Sequence, residues 1–265
     1  MTTLIAGPAD SAARWITTLL LVALIALPCA AHAGLNEGLA AYDRAEYATA
    51  LRELTPLAHK GSASAQYRLG KIFNLGQGVP PNKKEAAKWF YLAAKQGLAQ
   101  AQGALGYLCL VGEGVSQNSD LALQWTRKAA LQGDATAQFN LSVMYGEPYG
   151  IQKNPAESLK WLRRAADQRK VEALNALGAS YAQGKGGVTK NPVFAYALFA
   201  TSAGRGDVAA AAEQQTLETG MSANDLQAGQ ALTKKWKPGI PFVHITAGVA
   251  YIQDREHIDR PAKSS

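Results

Sequence analysis

The chain is poor in the residues that most enzyme and metal chemistry uses. Its 265 residues include two cysteines, four histidines and only 8% aromatics. His32, His59, His244 and His257 stand far apart, with no cysteine or carboxylate at ligand spacing, so no metal is expected. Carboxylates are scattered, and none can be nominated as a general acid–base pair. Gly76-Gln77-Gly78 and Gly184–Gly187 follow no strand and precede no Gly-Lys-Ser/Thr, which makes them turn glycines rather than a phosphate cradle. The expectation is a chain with no catalytic residue, no cofactor and no metal site.

Long apolar runs are also lacking. The uncharged stretch Trp15–Leu27 has 13 residues, against about 20 for a membrane-spanning helix. Arg14 precedes it, and Pro28 and the small-x-small Ala31-His32-Ala33 follow it, which predicts a secretory signal over 1–33 cleaved after Ala33. An uncleaved inner-membrane anchor is the alternative, because Asp10 offsets Arg14. Pro28 and Ala26 stand where a lipobox before Cys29 would have a small and an aliphatic residue, so lipidation is not expected. The expected location is periplasmic or secreted, with no stable membrane insertion once the signal is gone. Cys109 is then the sole cysteine, no internal disulfide is available, and stability has to come from packing. The segment 1–33 carries one Arg and one Asp, so the net charge stays at +7. Such a balance favours anionic partners at low specificity, but the cations are spread along the chain and read first as a solvated face. No specific nucleic-acid partner is expected.

What the chain does contain is a repeat. Alanine, leucine and glycine dominate, a composition that suits helices packed through small residues. Ala65, Leu69, Ile72 and Phe73 share one helical face, and steps of 36 return Ala101, Leu105, Leu108, Cys109, then Ala137, Leu141, Met144, Tyr145, then Ala173, Leu177, Ser180, Tyr181. A small residue follows each leucine: Gly70, Gly106, Ser142 and Gly178. Glycine inside a helix costs about 1 kcal/mol against alanine, so close approach of a partner helix is expected there.

A second helix keeps the period. Asn82, Asn118 and Asn154 are 36 apart and Asn191 follows after 37, each placed as an N-cap. Trp89, Trp125 and Trp161 lie on the inward stripes of these helices and read as core between repeats, not as a cofactor box. Gly97, Gly133 and Gly206 are expected as left-handed helix ends, with Arg169 in that place in one copy. Cys109 takes the inward place of Phe73, Tyr145 and Tyr181, which predicts a buried, inert thiol. A period of this size marks helical solenoids, whose units bury their apolar faces on one another.

AxAQ, Leu-Gly with an aromatic three residues on, GxGV, and a Trp-centred helix ending AAxQG resemble the Sel-one-like repeat of the tetratricopeptide superfamily. The copies span 62–97, 98–133, 134–169 and 170–206. Residues 38–61 resemble a short opening unit, in which Pro56 should kink the end of the second helix. Residues 207–238 resemble closing helices, with Gln227, Gln230, Lys234 and Lys235 as a polar outer face. The resemblance implies an all-α, right-handed solenoid over 34–238, followed by a tail over 239–265. Within that tail, Pro241–Ile252 is expected as a strand or extended segment docked on the solenoid.

In this superfamily the first helices line a concave face. That implies candidate partner-binding residues at Tyr67, Lys71 and Asn74, at Tyr107 and Leu110, at Phe139, Val143 and Glu147, and at Glu172, Asn175 and Gln183. The row is richer in aromatic and aliphatic residues than a purely solvated face, and rigid aromatics make good anchors; the competing reading is that Tyr107, Phe139 and Val143 extend the packing between helices. The resemblance implies a non-catalytic adaptor for a protein or peptide in the cell envelope. Two alternatives stand beside it. Cysteine-rich relatives bind or hydrolyse β-lactams, but they carry a cysteine pair per repeat and this chain keeps one cysteine. A basic convex face (Lys83, Lys84 and Lys88 in one copy, Arg163, Arg164, Arg169 and Lys170 in another) would instead take an anionic polymer or lipid surface.

Overall fold

The computed structural model describes residues 34–237 and 240–242. The signal with its cleavage point, and the tail beyond Phe242, lie outside the described residues. Among those described, the fold is an all-α repeat solenoid of twelve helices with no strand. The opening pair is α1 (34–43) and α2 (Tyr47–His59). Four pairs follow: α3 (Ala63–Leu75) with α4 (Lys83–Lys95), α5 (Ala99–Val111) with α6 (Ser119–Leu131), α7 (Ala135–Gly146) with α8 (Pro155–Asp167), and α9 (Val171–Gln183) with α10 (Pro192–Ala203). Then come α11 (Val208–Gly220) and α12 (Ala223–Lys235). Helix α2 holds Pro56 inside it and runs on to His59.

The chain forms two compact units, one up to Ala101 and one from Gln102 on. In the first, α3 packs against α2 and α4. Its core joins Tyr42, Ala50 and Leu54 of the opening pair to Ala65, Leu69, Ile72 and Trp89, the last four lying on the inward stripes that the 36-residue period predicts. Full burial of each large aliphatic side chain here is worth about 1.5–3 kcal/mol. In the second, successive helices from α6 to α11 pack on one another and α12 packs on α10. Its main core runs from Leu162 through Leu174, Leu177, Tyr181, Phe194 and Leu198 to Leu232, Trp236 and Phe242.

The local signals act as the sequence reading expects. Asn82, Asn118, Asn154 and Asn191 each accept a hydrogen bond from the amide three residues on, at 2.8–3.1 Å, satisfying a donor that the first turn of a helix leaves without a partner. The small residues after the leucines mark close helix approach. A Cβ at Gly70 would meet the Phe90 ring at 2.5 Å, and one at Gly178 would meet Phe199 at 3.1 Å. Ser142, in the same place, is also engaged, its carbonyl accepting from Ser158 Oγ at 2.7 Å.

Two placements differ in degree. Trp89 and Trp161 are buried, whereas Trp125 is half-buried with Lys128 Nζ 4.5 Å above its ring. Residue 126, inward in that copy, is a threonine where the others have Phe90 and Leu162, and it is Thr126 that is buried beside Gly106. In α12 the outer residues Gln227, Gln230, Lys234 and Lys235 are exposed, while Gly229 lies against the Tyr196 ring and Leu232 is buried.

Candidate interaction surface

By the 36-residue period, residues one repeat apart hold equivalent places in the first helices α3, α5, α7 and α9. In the first unit the candidate row is tied down internally. The Tyr67 ring packs on Phe90 with centroids 5.8 Å apart. Lys71 Nζ lies 5.2 Å from the Tyr42 ring centroid, beside the Arg68 guanidinium at 4.7 Å, a cation–π arrangement. Asn74 Oδ1 accepts from Lys83 Nζ at 3.1 Å.

The second unit is different. Tyr107, in the place of Lys71, is 50% exposed. Val111, one turn further along α5, is 41% exposed, so an aromatic and an aliphatic side chain share one open face. Helix α7 lies alongside: a Cβ at Gly103 would sit 3.6 Å from the Ala137 Cβ. On α7, Val143 is part-buried, Glu147 is exposed, and Phe139 is part-buried against the main core. Leu110 is part-buried, and its carbonyl accepts from Gln117 Nε2 at 2.9 Å. On α9, Asn175 Nδ2 donates to Asp207 Oδ2 at 2.7 Å, Glu172 pairs with Lys170 at 3.0 Å, and Gln183 is exposed. Sequence reasoning passed over Val111 and its equivalent in the first unit, Leu75, which is 56% exposed. The signal that finds them is position: both are apolar and stand directly before a loop glycine, Gly112 and Gly76.

A second device went unassigned in the sequence. The glutamine of AxAQ and the glutamine that closes the second helix meet in the first three of the four repeats. Gln96 Nε2 donates to Gln66 Oε1 at 2.8 Å, Gln132 to Gln102 at 2.7 Å, and Gln168 to Gln138 at 2.8 Å. Gln66 and Gln138 each also donate to the carbonyl of the preceding helix, Ala58 O and Ala130 O. A buried amide needs such partners, so these motif residues are structural. Cys109 is 1% exposed and burial pushes its thiol up, which keeps it protonated and unreactive. Among the described residues no helix is long and apolar enough to cross a membrane.

Comparison with known proteins agrees with this architecture. The Sel1 repeat family matches residues 63–98, 99–134, 135–169 and 171–207. No curated protein matches the chain. A crystal structure of a Sel1 repeat protein from Oxalobacter formigenes is similar at 35% identity and TM-score 0.59, over 67% of this chain and 70% of that one. Two further solved structures share less. One is c5321, described as a protective antigen of uropathogenic Escherichia coli with an SLR fold, at 26% identity and TM-score 0.47 over 72% of this chain and 48% of that one. The other is a Sel1 repeat protein from Klebsiella pneumoniae, at 16% identity and TM-score 0.49 over 71% and 93%. Sel1 repeats are in general a non-catalytic scaffold for protein–protein contacts. With four copies of the repeat covering more than half its length, the chain belongs to the Sel1 repeat family.

Proposed function

We propose that the chain is an exported, non-catalytic adaptor of the bacterial cell envelope that binds a protein or peptide on the first-helix face of its second unit. The observation that carries this reading is the exposed pair Tyr107 and Val111 on one face of α5. Hydration of that face costs free energy that a partner's apolar side chains would recover, and a rigid aromatic flanked by aliphatics is the usual anchor of such contacts. Val143 on α7 continues the apolar strip, and Glu147 and Gln183 supply a polar rim. Export is supported by the short apolar stretch Trp15–Leu27 and the small-x-small residues before Gly34.

A photo-crosslinking amino acid at Glu147, used in living cells, tests the surface. One partner band is expected, strongly reduced when Tyr107→Ser and Val111→Ser are added, with the helical circular dichroism unchanged. An undiminished band would remove this face as the binding surface. Mass spectrometry of the protein recovered from the envelope should give an N-terminus at Gly34; a chain beginning at Met1 would overturn the cleavage.

A further inference from the structure

The helix-terminating position of the repeats sets one residue apart. Gly61, Gly97, Gly133 and Gly206 occupy it with φ of +97°, +91°, +92° and +91°. A Cβ added at any of the four meets nothing within 4 Å, so glycine's place there rests on backbone conformation and not on space. Arg169 occupies the same position with φ of +62°, a conformation that a residue with a Cβ adopts only when something over-determines it.

The side chain shows what does. The Arg169 guanidinium lies 3.8 Å from the centroid of the Trp236 ring, and Nη2 donates to the Trp236 carbonyl at 2.7 Å. Two residues before it, Asp167 Oδ1 accepts from the backbone amide of Phe242 at 2.7 Å. Between these points the chain is tied to itself, Trp236 Nε1 donating to the Ile240 carbonyl at 2.8 Å. The Phe242 ring is buried edge-on between Trp236 and Phe194, with centroids 4.7 Å and 5.6 Å away. Burial, and then the neighbouring Arg205, push the guanidinium below its ordinary value against the pull of Asp167, so its placement has an electrostatic cost.

We propose that Arg169 and Asp167 form a two-point clamp on the segment from Trp236 to Phe242. The clamp fastens Trp236 and Phe242 to the α8–α9 turn. It holds its segment as a peptide site would, by two main-chain groups and the Trp236 ring, and it is occupied by the chain's own residues. Arginine is kept at a left-handed position because glycine there would fit the backbone and release the segment.

Arg169→Gly separates this from a plain helix-end role by sign. A plain role predicts a higher melting temperature, since glycine suits the conformation. The clamp predicts a lower one, with chymotrypsin cleavage after Trp236 and Phe242 rising about tenfold or more, in line with the loss of a stacked, charge-assisted hydrogen bond. Asp167→Ala should raise cleavage after Phe242, while Asp167→Asn, which keeps an acceptor, should raise it less. A raised melting temperature in Arg169→Gly would overturn the clamp. So would unchanged cleavage in both Arg169→Gly and Asp167→Ala, whatever the melting temperature does.

Discussion

Lys71 and Tyr107 hold the same place in consecutive repeats, one in each compact unit, and they are used differently. Lys71 lies over Tyr42, a ring supplied by the opening helix pair, and its neighbours Tyr67 and Asn74 are likewise engaged within the first unit. Tyr107 keeps half its surface open, with Val111 beside it. A repeat position therefore has no intrinsic role on this face. What decides is whether a neighbouring element brings a ring or a charge to cover it, and in the first unit α1 does.

The inward positions should show no such contrast, and that is the strongest way to break the comparison. Leu69 in the first unit and Leu177 in the second are each 1% exposed at equivalent places. Leu69→Ala and Leu177→Ala should each destabilise by about 2–5 kcal/mol, the usual cost of lost transfer energy plus a cavity. Urea unfolding of the two variants measures this. A loss below about 1 kcal/mol at either site would mean that the two cores are not built alike.

The contrast on the outward face is smaller and has opposite signs in two assays. Lys71→Ala should cost about 0.5–1 kcal/mol of stability, the worth of an exposed cation–π contact, and leave partner capture at Glu147 unchanged. Tyr107→Ser should stay within about 0.5 kcal/mol in stability and abolish most of the capture. If Lys71→Ala reduced capture as strongly as Tyr107→Ser, the binding face would have to include the first unit.

How much of this was legible in the sequence follows from the range of the interactions involved. The period, the asparagine caps, the buried leucines and the close-approach glycines are local or nearest-neighbour effects, and residues 36 apart repeat them. The covered state of Lys71 depends on Tyr42, outside any full repeat, and the use of Arg169 depends on Trp236, 67 residues away. Both were visible as departures from the pattern, a short opening unit and an arginine in a glycine place, but their partners were not. The glutamine pairs were present in both quoted motifs; each is part of the consensus, so nothing marked them as partners until the helices were side by side.

The finest contrast is in acid. Helix α3 of the first unit begins at Ser62, whose hydroxyl caps Ala65 at 3.4 Å and does not titrate. Helix α11 of the second begins at Asp207, which accepts from the Ala210 amide at 3.0 Å and from Asn175 at 2.7 Å. The Ala210 amide first, and then the Asn175 side chain, hold this carboxyl below the ordinary aspartate range. A carboxylate with a depressed folded-state pKa contributes stability that is fully present above its unfolded value, about 3.9, and is lost as pH falls through the folded value. Thermal melts of the wild type and Asp207→Asn between pH 6 and pH 3 should therefore differ most at the upper end and converge below about pH 4. Asparagine keeps the capping oxygen and removes the titration, so it isolates the charge. Ser62→Asn should show no such convergence, because neither residue there changes its protonation. A gap between wild type and Asp207→Asn that stays constant across the range would mean that the α11 cap works through its hydrogen bonds alone.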